Sequence, residues 1–236
     1  SGIFLENKLE TSSKFFKYVF SNFNNGLAAL PRKGMQAIPD QLFNKLNRER
    51  VIIGQSVVNI DDSKNVTLDD GIIIKGNRLI LSGDSTNLVD GENGEYNAVK
   101  TMYFSTQNDI MNGEYIHLYP KDNIINNVAI PTYLSESYSK NSDHLISLTI
   151  LESEASEIEM VKDIKGRLSK YYGGGPNSYE FLRSINIKTG TLRQPKGHFN
   201  RSQKNSEDDI YMIGEKVTNG SIEGAVVAGL NVIDEF

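Results

Sequence analysis

The alternation of helix-periodic and strand-like segments is the sequence feature that most limits how this chain folds. The clearest helix is Glu154–Tyr172, which ends at the triple glycine Gly173-Gly174-Gly175 and whose apolar residues recur at helical spacing. Apolar runs stop at about five residues, whereas a membrane-spanning helix needs about 20. We therefore predict a mixed α+β protein without a spanning segment.

The rest of the chain divides into short segments of the same two kinds. Helices are predicted at Ser12–Phe23, from near Pro39, and at Ser221–Ile233. Gly, Asp and Asn turns separate the strands. The predicted strands are Val51–Ile53, Ser56–Ile60, Val66–Leu68, Ile72–Ile74, Leu79–Leu81, Thr101–Ser105, Tyr115–Tyr119, Val128–Pro131, Leu145–Ile150, Ser184–Ile187 and Ile210–Ile213.

Composition excludes several classes of function. The net charge of −5 argues against a nucleic-acid binder, which would carry a basic stripe. The absence of cysteine excludes disulfides, thiolate metal sites and a cysteine nucleophile. His117, His144 and His198 lie far apart, so we predict structural histidines and no metal site. The start at Ser1-Gly2 has no signal peptide, and we predict a cytoplasmic chain cut from a longer one.

The C-terminal strand–turn–helix carries the most informative chemistry. The strand Ile210–Ile213 leads into Gly214-Glu215, and a helix begins after Gly220-Ser221. A helix start presents unpaired N–H groups and a partial positive charge, which suit a phosphate, a carboxylate or an electron-rich ring oxygen. Small residues at helical spacing would let this helix approach another backbone or a flat cofactor closely. The alternative is a capped, tightly packed helix without a ligand.

Several ordered segments resemble one family, the FAD-dependent amine oxidases with their relatives the phytoene desaturases and protoporphyrinogen oxidases. The strongest match is the run from Gly214 through Gly220 to Gly229, which looks like the family's C-terminal flavin segment. The resemblance extends over nearly the whole chain. The other matching segments are Leu30–Pro39, Gly54–Ile60, Leu79–Gly83, Asn126–Pro131 and the helix Val161–Tyr172.

The resemblance implies roles for seven residues. Those that match the family's cofactor-binding positions are Val57, Gly214, Glu215, Gly220, Ser221, Ile222 and Met35. It implies that the backbone at Val57 contacts the adenine and that Glu215 approaches the ribityl and pyrophosphate groups. The backbone of Ser221 and Ile222 would face the flavin pyrimidine oxygen, where a helix dipole stabilises the reduced ring. The alternatives are a buried strand valine at Val57 and a solvated loop acid at Glu215.

Met35 would lie near the flavin ring, although a core methionine is an equal alternative. The resemblance names no catalytic residue and no metal ligand. The chain departs from the family because it contains no GxGxxG turn, which cradles the pyrophosphate in such proteins. We therefore expect the C-terminal part of a longer parent, with weak or absent FAD binding by this chain alone.

The predicted fold is a partial FAD/NAD(P)-binding domain, without its N-terminal GxGxxG unit, interleaved with a mixed, largely antiparallel substrate-type domain. Residues 34–94 and 201–236 would form the FAD part, and 1–33 and 95–200 the substrate part. The predicted function is part of a flavin oxidoreductase that transfers hydride from the C–H of an apolar or amine-type small molecule to FAD. The alternative is a non-catalytic scaffold that binds a partner or a small apolar ligand.

Overall fold

The structure is a computed structural model that describes residues 4–6, 9–90, 96–150, 155–197, 206–207 and 209–233. The chain forms two compact units, each assembled from three stretches of sequence. Unit 1 comprises residues 1–9, 27–43 and 97–191. Unit 2 comprises residues 10–26, 44–96 and 192–236. Both units combine helices with sheets, so the mixed α+β prediction is confirmed.

Unit 1 is built on a five-stranded sheet, whose strands lie in the order β6 (His117–Leu118), β7 (Ile125–Ala129), β8 (His144–Ile150), β5 (Tyr96–Thr106) and β9 (Glu180–Leu192). The pairs from β6 to β5 are antiparallel, and β5 and β8 pair without a break from Lys100↔Ile150 to Thr106↔His144. Alternate residues of β5 and β8 are buried, as expected for a sheet with one face on the core. The α-helices of unit 1 are α2 (Ala37–Phe43) and α4 (Glu157–Tyr172), and the end residues Tyr96 of β5 and Leu192 of β9 group with unit 2.

Helix α4 packs its apolar stripe into the core of unit 1. Met160, Ile164 and Leu168 are buried at successive turns and join the buried residues of the sheet in one cluster. A complete capping box starts the helix, because Ser156 accepts from the Glu159 amide and the Glu159 side chain accepts from the Ser156 amide. These signals are local in the sequence, which explains why this helix is predicted so clearly.

Unit 2 contains two small three-stranded sheets. One is an antiparallel meander of β1 (Val57–Ile60), β2 (Asn65–Leu68) and β3 (Ile73–Lys75). In the other, the strands lie in the order β10 (Ser206–Glu207), β11 (Ile210–Ile213) and β4 (Leu79–Ser82). Strands β11 and β4 are parallel over four residues, from Ile210↔Leu79 to Ile213↔Ser82. The α-helices of unit 2 are α1 (Ser13–Asn25), α3 (Asn87–Asp90) and α5 (Ile222–Ile233).

Helix α5 of unit 2 is apolar on both of its faces. One face carries Gly224, Ala228 and Val232, which lie one turn apart and are buried. The opposite face stays open, and its exposed residues are Ile222, Val226, Leu230 and Ile233. A helix that is apolar all round is normally covered on both sides. We call these four exposed residues the α5 open stripe.

The structure differs from the sequence prediction in several places. Val51–Ile53 forms no strand, and its residues are partly or fully exposed. Strands β5 and β9 are longer than predicted. Helix α1 groups with unit 2, and its predicted place in a substrate part stays a prediction. His198 lies outside the described residues.

Candidate functional site

The carboxyl ends of the parallel strands β4 and β11 meet at one edge of unit 2. Ile213 is opposite Ser82, and Gly214 follows with φ of +112°, a conformation that favours glycine. A Cβ on Gly214 would lie 3.8 Å from Ser82 Oγ and 3.9 Å from the Gly83 nitrogen, which is ordinary contact. The backbone angle, and not a lack of space, therefore explains this glycine. Ligands of open parallel sheets bind at such carboxyl ends.

Glu215 follows Gly214 and is half-buried. Burial raises the pKa of its carboxyl group, although a hydrogen bond with Tyr96 and the charge of Lys216 act in the opposite direction. Glu215 is therefore not the solvated loop acid of the alternative interpretation. A half-buried carboxyl beside a hydroxyl and an ammonium group is well suited to hydrogen bonding with ligand hydroxyls.

Lys216 connects the end of β11 to the end of β4. Its Nζ donates to Thr86 Oγ1 at 3.2 Å and to Asn87 Oδ1 at 2.5 Å. Thr86 is 3% exposed and its hydroxyl donates to the Gly83 carbonyl at 2.8 Å. These contacts fix the turn after Gly214 against the turn after β4. Because Lys216 lies 130 and 129 residues from Thr86 and Asn87 in the sequence, spacing arguments could not predict this connection.

Hydrogen bonds within the turn between β11 and α5 hold Ser221 in place. Ser221 Oγ accepts from the Gly224 amide at 2.9 Å and so caps α5. Ser221 also donates its hydroxyl to Asn219 Oδ1 at 2.5 Å, and its amide donates to the Asn219 carbonyl at 2.7 Å. A Cβ on Gly224 would lie 2.4 Å from the Asn219 carbonyl oxygen, so packing against this turn explains that glycine.

Gln194 holds the residue before this cap. It is 3% exposed, and its Oε1 accepts from the Gly220 amide at 3.1 Å. A Cβ on Gly220 would lie 2.7 Å from Gln194 Nε2 and 3.6 Å from Leu192 Cβ. The Gln194 amide therefore occupies the space that a side chain at Gly220 would need, and contact of Gly220 with a cofactor stays a prediction. No sequence signal singled out Gln194, because its role depends on a contact across 26 residues of chain.

Two backbone donors at the start of α5 remain open. Within the described part of the chain, the amides of Gly220, Ser221 and Gly224 have acceptors, whereas those of Ile222 and Glu223 have none. Adjacent open amides at a helix start fit an electron-rich ring oxygen or a carboxylate. Of the two backbone positions predicted to face a flavin oxygen, Ile222 has an available amide and Ser221 has an engaged one.

Tyr18 of α1 reaches the first turn of α5. Its hydroxyl donates to the Glu223 carboxylate. Burial and this hydrogen bond raise the pKa of Tyr18, while hydrogen bonds with Ser221 and Asn219 lower it. The α5 start is thus lined by a phenol, a carboxylate, a hydroxyl and an amide. The sequence placed Tyr18 on a helix but gave no sign of this contact.

The other two predicted cofactor residues are both exposed. Val57 starts β1 opposite Leu68 and is 36% exposed, so the alternative of a buried strand valine does not hold. Met35 belongs to unit 1, where the Tyr138 hydroxyl donates to the Pro31 carbonyl of the same segment at 2.5 Å. Met35 is 44% exposed and is not a core methionine. Their contacts with a cofactor stay predictions.

Metal ligation and membrane insertion have no supporting feature in the described ranges. These residues bring together no group of three or more His, Asp or Glu side chains that could hold a metal ion. No described helix combines the length and the apolar character needed to cross a bilayer. His117 is hydrogen-bonded to Tyr172 and to the Asn112 carbonyl, and His144 stacks on Tyr133, so both have structural partners.

The fold is similar to that of solved structures at low sequence identity. A reduced UDP-galactopyranose mutase matches 92% of this chain with a TM-score of 0.69 and 14% identity. A protein from Pyrococcus furiosus matches 86% with a TM-score of 0.63 and 13% identity. An oxidoreductase from Methanosarcina mazei matches 77% with a TM-score of 0.54 and 17% identity.

The chain spans about half the length of these structures, since the matches cover 59%, 52% and 49% of their respective chains. No family model matches the sequence, and none of the curated proteins does. The likeness therefore shows the fold, and the chemistry has to be argued from the residues of this chain.

Proposed function

We propose that this chain is part of a flavin-dependent oxidoreductase and that the start of α5 holds the pyrimidine edge of the flavin. The open amides of Ile222 and Glu223 are the observation that carries the proposal. They would donate to a ring oxygen whose negative charge grows on reduction, and the helix dipole would add to that stabilisation. The likeness in fold to an oxidoreductase supports the same class of activity.

The chain's own residues would bind and orient the cofactor. The half-buried Glu215 would accept from ribityl hydroxyls, and the Lys216 contacts to the β4 turn would keep it in place. The backbone at Val57 would contact the adenine. When bound, the flavin would supply the acceptor for a hydride from the C–H of an apolar or amine-type substrate.

We further propose that a polypeptide segment outside these 236 residues supplies the pyrophosphate cradle. The sequence contains no GxGxxG turn, and the similar solved chains are considerably longer. The α5 open stripe is the surface of unit 2 that would accept such a segment, because four large apolar side chains are exposed on it. Without that segment, only one side of the cofactor has protein contacts.

Titration of FAD into the chain tests this proposal. Loss of three or four charge-assisted hydrogen bonds at the pyrophosphate, each worth about 1.5–3 kcal/mol, weakens a tight complex by several orders of magnitude. We therefore expect micromolar FAD to give neither quenching of flavin fluorescence nor a thermal shift. The gene-encoded full-length protein should bind FAD. Stoichiometric, sub-micromolar binding by the 236-residue chain would show that the cofactor is held differently.

A second candidate function is a non-catalytic scaffold that binds a partner or a small apolar ligand. The breadth of the α5 open stripe favours it, since an apolar surface can serve binding without chemistry. A colourless full-length protein would support the scaffold. A yellow full-length protein that a substrate bleaches would support the oxidoreductase.

A further inference from the structure

We propose that Gln194 is a positioning residue that sets the start of α5, and through it the two open amides. Gln194 is one of the few buried polar side chains of the described chain, at 3% exposed. Only the consequence for flavin binding rests on the proposed function. The positioning itself rests on contacts within unit 2.

Gln194 fixes the starts of two helices with two different groups. Its backbone carbonyl accepts from the amide of Ser12, the N-cap of α1, at 2.8 Å. Its side-chain Oε1 accepts from the Gly220 amide, two residues before α5, at 3.1 Å. A second hydrogen bond joins the same helices, because the Tyr18 hydroxyl of α1 donates to the Glu223 carboxylate of α5. One buried residue therefore links the position of α5 to that of α1.

The Gln194 side chain packs directly against Gly220, so a side chain at Gly220 would displace the Gln194 amide from its present position. Any side chain at Gly220 would meet the Gln194 amide at 2.7 Å. Loss of the Gln194 acceptor would leave the Gly220 amide without its partner and free the turn to rearrange. The Gly220 amide would then compete with its neighbours for any acceptor at this end of the helix. Gln194 thus restricts the available donors to Ile222 and Glu223.

Amide hydrogen exchange measured by NMR on the 236-residue chain tests the positioning directly. In Gln194→Met, which is similar in shape but lacks the acceptor, exchange at Gly220 should rise by about tenfold. Exchange at Ser12 should not change, because the Ser12 amide donates to the backbone carbonyl of residue 194, which the substitution keeps. Gln194→Glu should keep Gly220 protected, since a carboxylate accepts strongly and a helix start favours negative charge. The exposed Gln55→Met serves as the control and should alter neither amide.

Two exchange results would overturn the proposal. Equal protection at Gly220 in the Met variant and the unsubstituted chain would show that the acceptor positions nothing. Equal loss at Ser12 and Gly220 would show general destabilisation in place of positioning.

The second arm measures FAD affinity in the full-length protein. Weakened binding in Gln194→Met, with binding retained in Gln194→Glu, would support the proposal. Unchanged binding in both would overturn the link between Gln194 and the open amides and leave the proposed function standing. Failure of the unsubstituted full-length protein to bind FAD would refute the proposed function, while the exchange measurement would still decide the role of Gln194.

Discussion

The two units bury their apolar residues in different ways. In unit 1, residues of β5, β7, β8 and α4 form a single buried cluster in which most side chains are completely inaccessible. In unit 2, buried residues such as Phe15, Leu81 and Tyr211 belong to separate elements and to no such cluster. Unit 2 also exposes apolar side chains on α5 and on the β1-β2-β3 meander.

We expect the continuous core of unit 1 to supply most of the stability of the chain and the α5 open stripe of unit 2 to serve binding. Close-packed cores are sensitive to every methylene group, whereas exposed apolar surface contributes little to the stability of an isolated chain. Contiguous exposed apolar surface instead marks sites of interaction. The candidate site lies in unit 2, which is consistent with that division of roles.

A leucine-to-alanine pair should give the largest contrast between the units. Leu168 on α4 is fully buried, and Leu230 on α5 is 56% exposed. Leu168→Ala should lower the free energy of unfolding by about 2–5 kcal/mol, through lost transfer energy and an unfilled cavity. Leu230→Ala should change it by less than about 0.5 kcal/mol. Urea denaturation of both variants measures the contrast, and similar losses would show that the α5 stripe is buried in solution.

Two glycines of α5 should separate packing inside unit 2 from binding on its outer face. A side chain at Gly224 collides with the Asn219 carbonyl, whereas a Cβ on Gly229 meets nothing within 4 Å. Gly224→Val should therefore destabilise the chain by about 3 kcal/mol. Gly229→Leu should leave its melting temperature unchanged or raise it slightly, because glycine is a poor helix former.

In the full-length protein, Gly229→Leu should lower the ratio of flavin to protein absorbance while the protein stays folded. Ala225→Ser, a small change on the same open face, is the matched control. An unchanged flavin ratio in Gly229→Leu would argue against a cofactor-facing or partner-facing α5.

The two units should respond to acid in opposite directions. Burial alone would raise the pKa of Asp122 in unit 1, but hydrogen bonds from Tyr171, two backbone amides and Arg167 lower it to about 2. A depressed folded-state pKa stabilises the protein above pH 4, and that contribution is lost as pH falls toward 2. Its loss amounts to about 2 kcal/mol. Asp122→Asn should flatten this part of the curve of stability against pH.

Glu215 in unit 2 behaves in the reverse sense, because burial raises its pKa. The ionised form is disfavoured in the folded chain, so stability falls as pH rises through the folded-state pKa. Glu215→Gln should therefore stabilise the chain at neutral pH and make no difference in acid, where the carboxyl is already protonated. Thermal melts of the unsubstituted chain and both variants between pH 2 and pH 8 would show whether the two acids act in these opposite ways.

The helix caps should show the smallest effects. Ser156 caps α4 in unit 1, and Ser221 caps α5 in unit 2. Replacement of either serine by alanine should cost about 1 kcal/mol. If Ser221 acts only through its cap, Ser221→Thr should restore both stability and FAD content in the full-length protein. A loss of FAD in Ser221→Thr at normal stability would point to direct contact between Ser221 and the cofactor.

Local patterns predicted the elements better than the site. Helix α4 carries a regular apolar stripe, a capping box and a glycine stop, and each of these signals lies within one stretch of sequence. The strand β11 and the helix α5 are likewise close to their predicted limits. By contrast, Val51–Ile53 has the composition of a strand but no partner strand, and composition alone cannot supply one.

The site depended on contacts that no sequence window contains. Gln194, Tyr18 and Thr86 reach the β11–α5 turn from three distant parts of the chain. The family pattern predicted Gly214 and Gly220 as cofactor contacts, and the small-residue spacing of α5 predicted a close approach to another backbone or a flat cofactor. A Cβ on Gly220 would meet the Gln194 side chain and a Cβ on Gly224 the Asn219 carbonyl, while the cofactor contacts stay predictions. The sequence pattern thus located the turn correctly, but it could not show which atoms lie next to each glycine.

The parallel pairing of β11 with β4 has a consequence for how the protein is made. Strand β4 ends at Ser82, and its partner does not leave the ribosome until the whole of 97–191 has been synthesised. The sheet of unit 1 lies within that intervening stretch and can form first, since domains fold as their sequence emerges. Closing so long a loop also slows folding. Nascent chains that are stalled after 97–191 have left the ribosome but before Ile210 has left it should therefore resist protease in unit 1 while unit 2 is still digested.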